Sequence, residues 1–202
     1  MSSSVGAQEE IVKKIRRNAM RGKWQEVFET YKQERALRTA KITGTGDTIL
    51  HMAVSNGQAK LVADVVELLV LEENNPPQNN VVVIMEGERG ESQNMDIVLG
   101  VENDEKNTPL HLAARRGNVE MCKKIGSRVP SLIARRNISG ETPLFLAAVY
   151  GRREAFLWLH YQYMGSPGVS PTDFAHCIRD NDDTILHCAL AEGCGNRNNS
   201  PL

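Results

Sequence analysis

An all-α fold, a solenoid of stacked helix-turn-helix units, is what this sequence predicts, and three observations predict it. Thr, Leu at +2, Ala at +5 and Gly at +9 recur in one register from Thr48, Thr108, Thr142 and Thr184. An apolar stretch with helical periodicity follows the first three of those glycines. Aromatic residues are only 5% of the 202, so the core must be built from Leu, Val, Ile and Ala, which suit closely stacked helices.

Each recurrence explains itself as a short helix. Thr caps the amino end, and Pro109 and Pro143 take the first helical position, where a missing N–H costs nothing. Leu at +2 and Ala at +5 share a face, and Gly at +9 supplies the left-handed residue that stops the helix. Second helices follow through Leu61, Val62, Val65, Val66, Leu68 and Leu69, through Val119, Cys122 and Ile125, and through Phe156, Leu157 and Leu159. Before the first anchor, residues 11–33 read as two helices around Gly22, without the Thr or the His of the register. After the fourth, the sequence CGNRNNSPL supplies no second helix, so that unit is expected to be incomplete.

The unit resembles the ankyrin repeat, whose usual period is about 33 residues and whose signature includes T-P-L-H-x-A. The anchors are 60, 34 and 42 residues apart, so the first and last intervals carry insertions. The resemblance implies one domain over 1–202. Its parts are a degenerate capping repeat (8–35), repeats at 44–71, 104–136 and 138–164, an acidic insertion or loop (72–103), an insertion (165–179) and an incomplete repeat (180–202). A narrower likeness rests on ETPLFLAAVYG, RVPSLIARRN and NDDTILHCALAEG. These phrases are similar to plant ankyrin proteins of stress and defence signalling that end in a PGG domain with transmembrane helices. That domain is absent here, so the chain reads either as a complete product or as a fragment of a membrane-anchored form.

Charge excludes few partners by itself. There are 24 basic and 25 acidic residues, a net charge of −1. Nothing in that balance calls for nucleic acid. No secretory signal opens the chain, and the most apolar window, 61–71, is interrupted by Asp64 and Glu67, so no membrane contact by this chain alone and a cytoplasmic location are expected. Cysteines at 122, 177, 188 and 194 form no close pair, which fits a reducing compartment. Charge is nonetheless segregated. Residues 72–107 hold nine acids and two bases, a net −7, and read as a disordered loop or a partner-binding arm with 81–85 as a docking strand. Residues 1–45 hold ten bases and five acids, and 115–136 hold seven bases and one acid; a solvated helix face explains both more simply than nucleic acid or anionic lipid. Ser166-Pro167 and Ser170-Pro171 read as turn formers or proline-directed phosphosites.

No catalytic, cofactor or metal site is expected. His176-Cys177, His187-Cys188 and Cys194 lack ligand spacing for zinc, residues 87–92 are no phosphate loop, and Cys122 and Cys188 fall on apolar repeat positions. The resemblance assigns His51, His111 and His187, at +3, to hydrogen bonding between repeats, with Phe145 in the same column. It implies instead a non-catalytic module that binds an unidentified protein partner on a concave face. By register the partner-binding positions fall at −4, −3, −1, +7 and +8 from each Thr. The main candidates are Asp47, Ser55 and Asn56; Asp104, Glu105, Asn107, Arg115 and Arg116; Ser139, Glu141, Val149 and Tyr150; and Asp183. Arg115, Arg116 and Tyr150 are the expected centre, with Asp104, Glu105 and Glu141 as an acidic rim beside them.

Overall fold

The computed structural model describes residues 2–74, 93–165 and 177–188, with the side chains of 9–74, 94–165 and 177–188. Packing divides the chain into two compact units, 1–101 and 102–202. Among the described residues there is no strand, only an isolated antiparallel bridge between Ile178 and Thr184.

The first unit holds α1 (Ser2–Met20), α2 (Trp24–Gln33), a 3-10 turn (Arg35–Arg38), α3 (Ile49–Ser55), α4 (Ala59–Asn74) and α5 (Gln93–Leu99). Gly22, at φ +72°, turns the chain between α1 and α2. Ile15 and Ala19 of α1 and Val27 and Tyr31 of α2 are buried, as are Leu50 of α3 and Leu61, Val62, Val65 and Leu69 of α4. The helical period places each set on one face, and burying a Leu or Val side chain stabilises by about 1.5–3 kcal/mol. Arg38 is 4% exposed and pairs with Glu72 in the last turn of α4, one hydrogen bond being 2.8 Å, while Arg35 reaches the same carboxylate at 3.2 Å. The two guanidinium groups hold the Glu72 carboxyl below the usual carboxylate range, Arg38 most strongly.

Part of the segment read from sequence as a loop is helical. In α5, Met95, Val98 and Leu99 are buried at i, i+3 and i+4 and pack the helix against α4. Averaging the composition over 72–107 masks an amphipathic triplet in its second half, and that triplet decides the local structure. The expected docking strand at 81–85 lies outside the described residues, as do Ser166 to Pro171.

The second unit holds α6 (Pro109–Arg116), α7 (Val119–Gly126), a 3-10 turn (Pro130–Ala134), α8 (Pro143–Val149) and α9 (Arg153–Met164), followed after the undescribed 166–176 by 177–188. Helix α6 packs on α7 and α8, and α9 packs on α8 and α7, so two helix pairs stack. Leu110 and Leu144 are fully buried, with Ala113 and Ala147 beside them in register. Small Ala at these positions lets the inner helices approach closely. The equivalent Leu186 is 66% exposed.

Candidate partner-binding surface

The first two registers begin with a buried polar knot. In Thr108 and His111, both fully buried, the ring Nδ1 accepts from the Thr108 N–H at 3.1 Å and lies 2.8 Å from its hydroxyl. An accepting Nδ1 leaves the proton on Nε2, and that atom donates to the Glu141 carbonyl of the next repeat at 3.2 Å. Thr48 and His51 repeat the local part at 3.2 Å, and Thr184 and His187 repeat it at 3.3 Å. At Phe145 an apolar ring fills the column, fully buried, while Thr142 still caps α8 by accepting from the Phe145 N–H at 3.1 Å. Cys122 is a core thiol pushed up to about 12 by burial, so thiolate chemistry is suppressed there. Cys177 and Cys188 are half-buried, and His176 and Cys194 lie outside the described residues.

The turn before each inner helix is organised by a residue that the register did not single out, five positions before the Thr. Asn103 and Asn137, 34 residues apart, are 8% and 9% exposed. The Asn137 side-chain oxygen accepts from the N–H groups of Ser139 and Glu141, both at 3.0 Å. Its amide donates to Asn107 Oδ1 at 3.0 Å and to Glu141 Oε2 at 3.1 Å. Asn103 Oδ1 accepts from the Glu105 and Asn107 N–H groups at 3.1 and 3.0 Å, and the Ile138 N–H donates to the Glu105 carbonyl at 2.9 Å, joining the two turns. In the first unit Thr43 takes the same position, its Oγ1 accepting from the Asp47 N–H at 2.9 Å. Position 179 is Arg, a donor only. It therefore binds the Asp183 carboxylate, at 3.2 Å through Nε, and holds that carboxyl below its usual range, with Asn181 adding to the effect. Gly140, at φ +72°, is required by the turn and by Asp180, since a Cβ there would sit 2.6 Å from the Asp180 backbone nitrogen.

This network sorts the candidates. Asn107 is 3% exposed and bound within the knot, so its side chain offers no surface to a partner. Glu141 is half-buried and bonded to Asn137, with Arg179 3.7 Å away; Asp47 and Asp183 are half-buried and engaged in their own turns. Asp104, Glu105 and Ser139 are exposed. Ser55 is half-buried at the end of α3, and Asn56 is exposed and caps that helix by donating to the Met52 carbonyl at 2.8 Å.

The arginine and tyrosine candidates come together at the other end of the inner helices. Arg115 and Arg116 close α6, Val149 and Tyr150 close α8, and the Arg115 guanidinium stands 5.9 Å from the centre of the Tyr150 ring. Val149 is half-buried; Arg115, Arg116 and Tyr150 are exposed, Tyr150 at 42%. Arg152, which the register omitted, donates from Nε to the Arg115 carbonyl at 3.0 Å. Its stem lies over Gly117, the left-handed cap of α6 at φ 75°, where a Cβ would come within 2.8 Å of Arg152 Cδ. A hydrogen bond and a cation–π contact thus tie two successive turns. The acidic rim was expected beside this cluster. It lies instead at the amino ends of α6 and α8, about 12 Å away for an eight-residue helix, because the register places −4 to −1 and +7 to +8 at opposite helix termini.

No helix among the described residues is long and apolar enough to cross a membrane, and no group of three or more His, Cys, Asp or Glu among them could hold a metal ion. No curated protein matches the chain. The family model described as Ankyrin repeats (3 copies) matches residues 8–173. Repeat solenoids of this kind are generally protein–protein interaction modules that present extended surfaces to partners. With the repeat register, the stacked helix pairs and a match over most of its length, the chain belongs to the ankyrin-repeat family.

Proposed function

We propose that the chain is a non-catalytic, cytoplasmic adaptor, in plant stress or defence signalling, whose protein partner docks on the edge formed by Arg115, Arg116 and Tyr150. The observation that carries the reading is the exposed Arg115–Tyr150 pair, held across two successive repeats by the Arg152 bond to the α6 terminus. Arg and Tyr are, with Trp, the residue types most enriched among binding hot spots, and here the Arg152 hydrogen bond joins the two turns that carry them. The domain limits set out from the sequence remain part of this proposal. Proximity labelling in the native cell names the partner. Arg116→Ala with Tyr150→Ala then weakens binding at least about tenfold with an unchanged melting temperature. Binding that survives this change but is lost on deleting 75–100 would transfer recognition to the acidic segment.

A second reading is favoured by Leu186, which is 66% exposed where its counterparts Leu50, Leu110 and Leu144 are fully buried. It makes the chain part of a longer, membrane-anchored ankyrin protein whose PGG domain covers or extends the fourth repeat. Full-length transcript sequencing from the native source separates the two.

A further inference from the structure

The strongest concentration of like charge in the first unit is on α1. Lys13, Arg16, Arg17, Met20 and Arg21 line a surface groove of about 470 Å³. They stand at i, i+3, i+4, i+7 and i+8, so they share one helix face over about 12 Å, opposite the buried Ile15 and Ala19. Four of the five are cations, and no carboxylate lines the groove. Glu9 and Glu10 sit at its amino end, both engaged by Lys13 at 3.1 Å. Arg16 is anchored by its Nε, which donates to the Ile42 carbonyl at 2.7 Å, and this fixes the guanidinium before any ligand arrives. Among the described residues Arg17 and Arg21 form no ion pair, although both are exposed and within one turn of each other. Met20, between them, is 77% exposed. Like charges at that spacing repel by a few tenths of a kcal/mol.

We infer that this groove is a docking site for an acidic amphipathic protein segment, its carboxylates pairing with Arg16, Arg17 and Arg21 and one apolar side chain covering Met20. Guanidinium groups favour planar carboxylates, which they bind in bidentate fashion. The thioether of Met20 adapts to apolar side chains of varied shape. A lipid surface fits less well, because a helix lying in a membrane interface needs an apolar stripe, and Met20 is the one large exposed apolar group among the described side chains of α1. Single-stranded nucleic acid fits less well too, since no aromatic ring lines the groove to stack on a base. The site belongs to the first unit and is independent of the Arg115–Tyr150 edge.

The test is fluorescence anisotropy on the full chain at low salt, with a labelled synthetic helical peptide bearing glutamates around a single leucine. Its counterpart, with Gln for every Glu, is the control. The groove predicts saturable binding of the acidic peptide and at least about tenfold weaker binding of the Gln peptide. Arg17→Glu with Arg21→Glu should also weaken binding about tenfold or more, and Met20→Ser about threefold to fivefold, with melting temperatures unchanged. If the charge reversal unfolds the chain, Arg17→Gln with Arg21→Gln replaces it. Absent binding, equal affinity for the two peptides, or indifference to the variants overturns the inference. So does association with phosphatidylserine-containing vesicles, or with single-stranded RNA, that exceeds association with the peptide and is lost in the same variants.

Discussion

Replacing Asn137 by Ala removes four hydrogen bonds at once. Two backbone N–H groups, of Ser139 and Glu141, lose their acceptor, and Asn107 Oδ1 and Glu141 Oε2 lose a donor. Ser139 is exposed and Glu141 half-buried, so both amides can recruit water and each of their losses is worth about 0.5 to 1 kcal/mol. Asn107 is 3% exposed, and stranding its oxygen adds roughly 1 to 2 kcal/mol. The total is about 3 kcal/mol, or a fall of about 6 to 12 °C in melting temperature for a chain of this size. Urea unfolding followed by circular dichroism measures the loss. Hydrogen exchange at the Ser139 and Glu141 amides measures its place. Ser139→Ala, which touches only an exposed hydroxyl, should stay within about 0.5 kcal/mol of wild type. If Asn137→Ala is equally mild, or if those two amides exchange no faster, the turn is not organised by this side chain and the network has been misjudged.

Leu110→Ala should cost about 2 to 5 kcal/mol in the same unfolding assay, while Leu186→Ala, at the equivalent but exposed position, should cost under about 0.5 kcal/mol. Gly117→Ala should cost about 1 kcal/mol more than Gly151→Ala, because both glycines have positive φ but only at Gly117 would the new Cβ meet Arg152, and unfolding midpoints compare them directly. Glu72→Gln strands the nearly buried Arg38 and should cost about 3 kcal/mol, the low end for a broken buried pair because Glu72 is partly exposed. Because the folded-state Glu72 carboxyl is depressed, its stabilisation is full above the ordinary carboxylate range and is lost as pH falls through the depressed value. The stability gap between wild type and Glu72→Gln should therefore shrink in acid and stay constant near neutrality.

The repeat itself was legible because Thr, Leu, Ala and Gly each have one physical job at one fixed offset, and Leu50, Leu110 and Leu144 are buried as that register requires. The Asn103–Asn137 knot was not. Its column reads Thr43, Asn103, Asn137 and Arg179, three chemistries that stabilise the same turn in different ways, so no residue recurs often enough to be seen. Only the 34-residue spacing of the two asparagines pointed to it. Helix α5 was hidden by averaging acidic and apolar stretches together. The charges of the candidate surface were joined from the register as one patch, which the structure divides between the two ends of the inner helices. Offsets of −3 and +7 look close in a register, but a helix separates them by its whole length. Arg152 was missed because it belongs to the second helix of its repeat and reaches back across the turn to the first helix of the preceding one.

The claim at the centre of this account is that recognition lies at the carboxyl ends of α6 and α8 rather than on the turns before them. Hydroxyl-radical footprinting of the chain with and without the partner found by proximity labelling tests it most directly, since Tyr150 is a reactive and exposed reporter. Protection of Tyr150 and of the peptide carrying Arg115 and Arg116, with 104–107 and 138–141 unchanged, is the predicted result. Protection confined to those two turns, with Tyr150 as reactive in the complex as in the free chain, would contradict it.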